Sequence, residues 1–210
     1  MLGVLVEKAH TVPDSYPLSL NSLLSGCNQK TAREPVINAT EAEVLVAVDA
    51  LKSLNLAFES SGSRVSRYEH NMGRALVLPS QSVALLAVLM LRGPQTSAEL
   101  RSNAERLHHF ADVSSVDGFL HELAERAPEK GGALVVKLPR AAGARELRWA
   151  HLLCGAVDVS AFQLAAESED FVAAGELAAL KANQRAMQEQ IDALREQVDR
   201  LCAELGIARS

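Results

Sequence analysis

The chain has 210 residues, 48% hydrophobic and 22% charged, with a formal net charge of −5. This is the composition of a soluble globular protein: no apolar run approaches the ~20 residues that span a bilayer. The 21 Lys and Arg against 26 Asp and Glu exclude a strongly basic nucleic-acid binder and leave room only for a local basic patch. Cys27, Cys154 and Cys202 lie far apart without CxxC or Cys/His ligand spacing, which speaks against a disulfide framework or a zinc site and for a reducing cytoplasm. The three thiols read as small apolar residues.

MLGVLVEKAH opens the chain as a short apolar helix rather than a signal peptide, since Glu7 arrives at once and no basic n-region precedes it. TVPDSYP is a turn-rich connection. LSLNSLLSGCN is a second helix, with Ser19 placed as its N-cap. The polar stretch CNQKTAREPV (27–36) follows. Thr40 then caps EAEVLVAVDALKSLN, with Glu41 and Glu43 in the first turn, where the helix dipole favours them. Val44, Ala47, Val48 and Leu51 form its inner face. LAFES and SRVSRYEH pair as a hairpin across Ser61-Gly62.

The same order then repeats. SQSVALLAVLMLRG (80–93) has a Ser N-cap candidate, a continuous apolar stretch and Gly-Pro to stop it. Thr96 caps SAELRSNAERL, and Asp112 caps VSSVDGFLHELAER, where Val116, Phe119, Leu120 and Leu123 recur at helical spacing. ALVVKLP (133–139) and RELRWAHLL (145–153) are strand-like. Three helices and a β-hairpin, twice, make the expected fold mainly α with small β-hairpins (α+β): two tandem winged-helix domains at 1–76 and 79–155, a linker at 156–172 and a C-terminal coiled-coil helix at 173–206. Charge follows this division, with 7 Lys/Arg against 8 Asp/Glu in residues 1–78, 9 against 8 in 79–155, and 5 against 10 from 156 onward.

One phrase occurs in both copies. GSRVSRYEH (62–70) and GARELRWAH (143–151) share Gly, Arg, Arg, an aromatic and His at the same spacing. Each is the returning strand of a hairpin, so Arg64, Ser66, Tyr68 and His70 share one face, as do Arg145, Leu147, Trp149 and His151. Two readings stand side by side. Either these residues brace the hairpin, with Arg lying across an aromatic ring, or the arginines touch a phosphate backbone.

In the tail, Leu177, Leu180, Gln184, Met187, Ile191, Leu194, Val198, Leu201 and Leu205 alternate spacings of three and four. Ile191 and Val198 at a, with Leu at three of four d positions, is the pattern of a parallel two-stranded coil, and Gln184 is a polar a position of the kind that fixes register. A homodimer is expected, the alternative being a helix folded back onto its own chain.

Catalytic signatures are missing from the sequence: no HExxH, no GxSxG, no phosphate-cradling Gly-rich loop. His108-His109 are neighbours that point to different helix faces and make a poor chelate. Ser25-Gly26-Cys27 has no identifiable His or Asp partner. No enzyme activity, cofactor or metal is expected. CNQKTAREPV is longer and more polar than a turn between helices needs, which invites either a functional or a solvated-loop reading.

YPLSLNSLLSGCNQKTAREPV with the EAEV helix, GSRVSRYEH, LRGPQTSAELRSNAERLHHF and RWAHLL together resemble the YceH family of bacterial proteins, over roughly residues 1 to 155. The resemblance implies a cytoplasmic protein of two winged-helix modules, with a frequent coiled-coil tail. It supplies no reaction or ligand. Thr31, Ala32 and Glu34 depart from the family's pattern in the loop, while Lys30 and Arg33 keep to it.

Two functions follow. Winged helices commonly bind duplexes through the third helix and the wing, which makes a DNA-associated regulator the first expectation. Yet the outward positions of the third helices, Glu41, Glu43, Asp49 and Lys52, then Asp117, His121, Glu122, Glu125 and Arg126, approach phosphates badly. Duplex contacts would have to come from Lys30, Arg33, Arg64, Arg67, Arg140, Arg145 and Arg148. The alternative partner is a protein, with the chain an interaction scaffold of the condensin-accessory type. No membrane partner is expected.

Overall fold

The computed structural model describes residues 1–60, 65–140 and 146–157, with 184, 187, 188 and 191. The chain divides into two units, Met1–Arg140 with Ala144–Val159, and Ala141–Gly143 with Ser160–Ser210. In the second unit only Gln184, Met187, Gln188 and Ile191 are described; they are helical and exposed. Leu177, Leu180, Leu194, Val198, Leu201 and Leu205 lie outside the described residues, as do Cys202, Arg64 and Arg145.

The first unit is a mixed α/β structure, mostly helical. Among its described residues are α1 (Leu2–Thr11), β1 (Leu18–Ser19), α2 (Leu20–Cys27), α3 (Glu41–Ser53), β2 (Ala57–Ser60), β3 (Arg67–His70), α4 (Met72–Ala75), α5 (Ser80–Arg92), α6 (Ser97–Ala104), α7 (Val113–Ala124), β4 (Val135–Lys137) and β5 (Trp149–His151). The helix starts follow local chemistry. Ser19 Oγ accepts from the Ser22 N–H, while Thr40 with Glu43 and Thr96 with Glu99 form reciprocal capping boxes. Asp112 accepts from the Ser115 N–H. At α5 the expected Ser80 cap is displaced: Pro79 holds the cap position in extended backbone without a side-chain bond, and Ser80 is the first helical residue.

β2 and β3 pair antiparallel with Glu59 opposite Tyr68, and β4 and β5 pair with Lys137 opposite Trp149. A third strand, absent from the sequence reading, completes the first sheet: β1 pairs with β3, Leu18 against Tyr68. Its counterpart in the second half is a single bridge, where Trp149 N–H donates to Gln95 O (2.7 Å) and Gln95 N–H to Trp149 O (3.1 Å). In both halves the residues just before the second helix thus tie onto the hairpin's return strand.

α1 and α5 join the halves. α5 is apolar on every side and buried from Ser82 through Leu89, as a continuous run of this kind requires. α1 sends Leu2 and Val6 into one core, with Leu86, Leu120 and Trp149, and Val4 and Leu5 into the other, with Leu23, Val44 and Tyr68. The two helices meet at Gly3, where a Cβ would come within 3.1 Å of Leu91 Cγ and 3.2 Å of the Ala87 carbonyl. α1 approaches α2 as closely at Gly26, where a Cβ would lie 2.7 Å from Val4 Cγ1. Cys27 beside it behaves as the expected small apolar residue, whereas Cys154 is exposed because it follows the last strand into a turn.

Candidate functional site

The repeated phrase turns its aromatics inward. Tyr68 and Trp149 are 5% and 1% exposed, and the alternation of a strand carries Arg67 and Arg148, one residue earlier, to the outside. Trp149 Nε1 donates to Ser97 Oγ (3.2 Å), and it is Lys137 rather than an arginine whose Nζ lies 5.0 Å above the indole. Arg67 Nη1 donates to the Pro17 carbonyl (2.8 Å), closing β1 onto β3. His70 and His151 are half-buried, each with Nδ1 buried and unpartnered. Burial holds both imidazoles below their ordinary range, with His10 adding a smaller charge effect at His70. The His70 N–H donates to Tyr16 Oη (2.6 Å), and burial pushes that phenol up to about 12.

The polar loop after α2 is a clamp. Arg33 runs inward with its side chain 4% exposed, donating through Nη1 and Nη2 to the two carboxylate oxygens of Glu7 (3.1 and 2.7 Å) and through Nη2 to the Gly26 carbonyl (3.0 Å). Burial raises the Glu7 carboxyl, but Arg33, with Lys8 beside it, outweighs that and holds it below the usual range. Asn28 spans the loop, its amide donating to the Ala39 carbonyl (2.9 Å) and its Oδ1 accepting from the Ala39 N–H (2.7 Å). Glu34 N–H reaches the Leu91 carbonyl of α5 (2.8 Å). Arg33 is therefore committed to the fold and withdrawn from the surface set, while its neighbour Lys30 is exposed.

Of the seven basic candidates, Lys30, Arg67, Arg140 and Arg148 stand at the surface, and Arg64 and Arg145 lie outside the described residues. They do not share one element. On the first hairpin, Glu59 pairs with Lys52 of α3.

α3 carries a feature the sequence reading passed over. Away from Val44 and Val48, both 1% exposed, Leu45 and Val46 reach 38% and 72% exposure, beside exposed Glu41 and Asp49. The signal was the run VLVAV, apolar on both sides of a helix that has only one face to bury.

The family model described as "Protein of unknown function, DUF480" matches residues 1–144. A UPF0502 protein of Leptothrix cholodnii is 60% identical over 210 residues, 99% of this chain and 93% of that relative. One of Methylibium petroleiphilum is 66% identical over 192 residues, 91% of this chain and 81% of its own, and one of Cupriavidus pinatubonensis is 60% identical over 209, or 99% and 88%. The chain belongs to the DUF480 family. The resemblance to the YceH family over roughly residues 1 to 155 is thereby borne out.

The DUF480 match takes in the Glu7–Arg33 clamp, the exposed side of α3 and Arg140, and stops before Arg148 and the Trp149 strand. Nothing in the family description supplies chemistry for these residues. Among the described residues no group of His, Cys, Asp or Glu is arranged to hold a metal ion, and no helix is long and apolar enough to cross a membrane. Burial pushes the Cys27 thiol up, away from the thiolate a nucleophile needs.

Proposed function

We propose that this DUF480 protein is a tandem winged-helix scaffold whose first module docks a protein segment bearing apolar side chains flanked by Lys or Arg. The observation that carries the reading is the outward side of α3. In a duplex reader that helix enters the major groove, but here it presents Leu45 and Val46 with Glu41 and Asp49 alongside. Carboxylates repel phosphates, whereas apolar residues within an acidic rim suit an amphipathic, basic-flanked partner. The role would be of the condensin-accessory type.

A second reading, duplex binding, is favoured by one observation: Lys137, Arg140 and Arg148 are all exposed on the hairpin of the second half. A titration of full-length protein against a random duplex at two salt concentrations separates the two. The scaffold expects no binding even at low salt, together with an in-cell photo-crosslink from a probe at Val46 that Leu45→Glu abolishes. Binding that weakens steeply with salt, and again in Arg140→Ala/Arg148→Ala, would overturn it in favour of DNA.

Self-association through the heptad seam from Leu177 to Leu205 belongs to the same proposal, resting on sequence spacing. Light scattering is expected to give a dimer mass for the full chain and a monomer mass for Ile191→Lys/Leu194→Lys; a monomeric wild type would remove this element.

A further inference from the structure

Between the two halves of the first unit lies a half-enclosed cleft of about 240 Å³. α1 supplies Glu7 and Lys8, the loop after α2 supplies Gln29 and Thr31, and from the other half come Arg92 at the end of α5 and Arg106 just past α6. Among the described residues lining the cleft, Glu7 is the one carboxylate, and it is already engaged, bidentate to Arg33 and at 3.1 Å from Lys8 Nζ. Lys8 also donates to Gln29 Oε1 (2.9 Å), and Gln29 Nε2 to Thr31 Oγ1 (3.1 Å), which leaves the Thr31 hydroxyl proton to donate. Neither Arg92 nor Arg106 has a carboxylate partner among the described residues.

A protein of net charge −5 thus gathers a positive surplus and several uncommitted donors on one concave wall. Lys8 and Arg92 stand in the last turns of their helices, where cations offset the helix dipole. That explains each at its own helix end. It does not explain why they meet Arg106, or why Glu7, the one acid among the described lining residues, is held by a buried arginine. At about 240 Å³ the cleft falls below the range of small-molecule sites, about 300–1,000 Å³, so the occupant is small. We infer that this cleft binds a small oxyanion of the phosphate class, held by Arg92, Arg106 and Lys8. The extra length of the loop after α2 then has a second use: having buried Arg33 against Glu7, it presents Gln29 and Thr31 to the ligand. The inference is independent of what docks on α3.

The test is calorimetric titration of full-length protein with pyrophosphate at constant ionic strength, set beside Arg92→Gln, Arg106→Gln and a control, Arg74→Gln, at an exposed arginine on α4. Saturable binding is expected, weakened about tenfold or more in each cleft variant, since a hydrogen bond to a charged group contributes roughly that much. Arg74→Gln should bind as wild type does. Because both halves line the cleft, pyrophosphate should also raise Tm in wild type and not in Arg92→Gln/Arg106→Gln. Absence of binding at millimolar pyrophosphate, or equal weakening in Arg74→Gln, would overturn the assignment. So would displacement of pyrophosphate by a random duplex, which would hand the site to a nucleic-acid backbone.

Discussion

The two halves close the gap between their second and third helices in opposite ways. In the second half the connection from α6 to α7 is plugged by Phe110, 2% exposed, edge-on to His108 and Phe119 at 4.7 and 6.1 Å, while Arg101 ties down the Phe110 and Ala111 carbonyls. In the first half the longer connection from α2 to α3 has no such plug, and a buried Arg33–Glu7 pair with the Asn28–Ala39 brace fills the same structural need. An apolar plug contributes by leaving water. A buried ion pair must first offset the desolvation of both charges, so it gives specificity more readily than stability. What the polar solution adds is a set of hydrogen-bonding groups at the surface, Gln29 and Thr31, outside the buried pair.

Removing each device in turn is the strongest way to break this comparison. Phe110→Ala should cost roughly 3–5 kcal/mol in urea denaturation, the range for a buried aromatic. Arg33→Met should cost about 3 kcal/mol, because it leaves Glu7 charged and half-buried with only Lys8 beside it. The Glu7→Gln/Arg33→Met pair should recover part of that loss in a double-mutant cycle, by about 1 kcal/mol or more. An Arg33→Met protein within ~0.5 kcal/mol of wild type would mean the loop is no clamp, and the burial of its arginine would then need another cause.

The same contrast separates what was legible in the sequence from what was not. Ser19, Thr40, Thr96 and Asp112 announce helix starts because a cap bonds three residues away, and the inner face Val44–Val48 announces itself by period. The inward turn of Tyr68 and Trp149 follows from strand alternation. Arg33 was not legible: an arginine in a polar run looks alike in water or in the core, and its partner sits 26 residues away on another helix. The pairing of β1 with β3 is hidden for the same reason, being two residues long and fifty apart in sequence. Leu45 and Val46 were visible as letters, but a periodicity test reports the stronger face and is silent on a second. The cleft was the least legible of all, since it needs Lys8, Thr31, Arg92 and Arg106 to converge from four separate segments.

Acid sharpens the comparison with the smallest expected effects. His70 and His151 are held below 6.5 by burial, so the neutral ring is the native form in both halves. Their contribution is complete above the unfolded value near 6.5 and is lost as pH falls below it toward the folded values. Glu7 titrates the other way in origin and the same way in outcome: burial raises its carboxyl but Arg33 and Lys8 lower it further, so its contribution stands above 4.5 and is lost as pH falls through the depressed native value. Stability should therefore decline in two stages, the first common to both halves and the second belonging to the first half alone. Urea midpoints measured from neutral pH downward check this directly. His70→Gln and His151→Gln should each flatten the upper stage, and Glu7→Gln only the lower. If Glu7→Gln left the lower stage intact, the acid sensitivity would have to come from exposed carboxylates such as Glu43, and the buried pair would not be what makes the first half different.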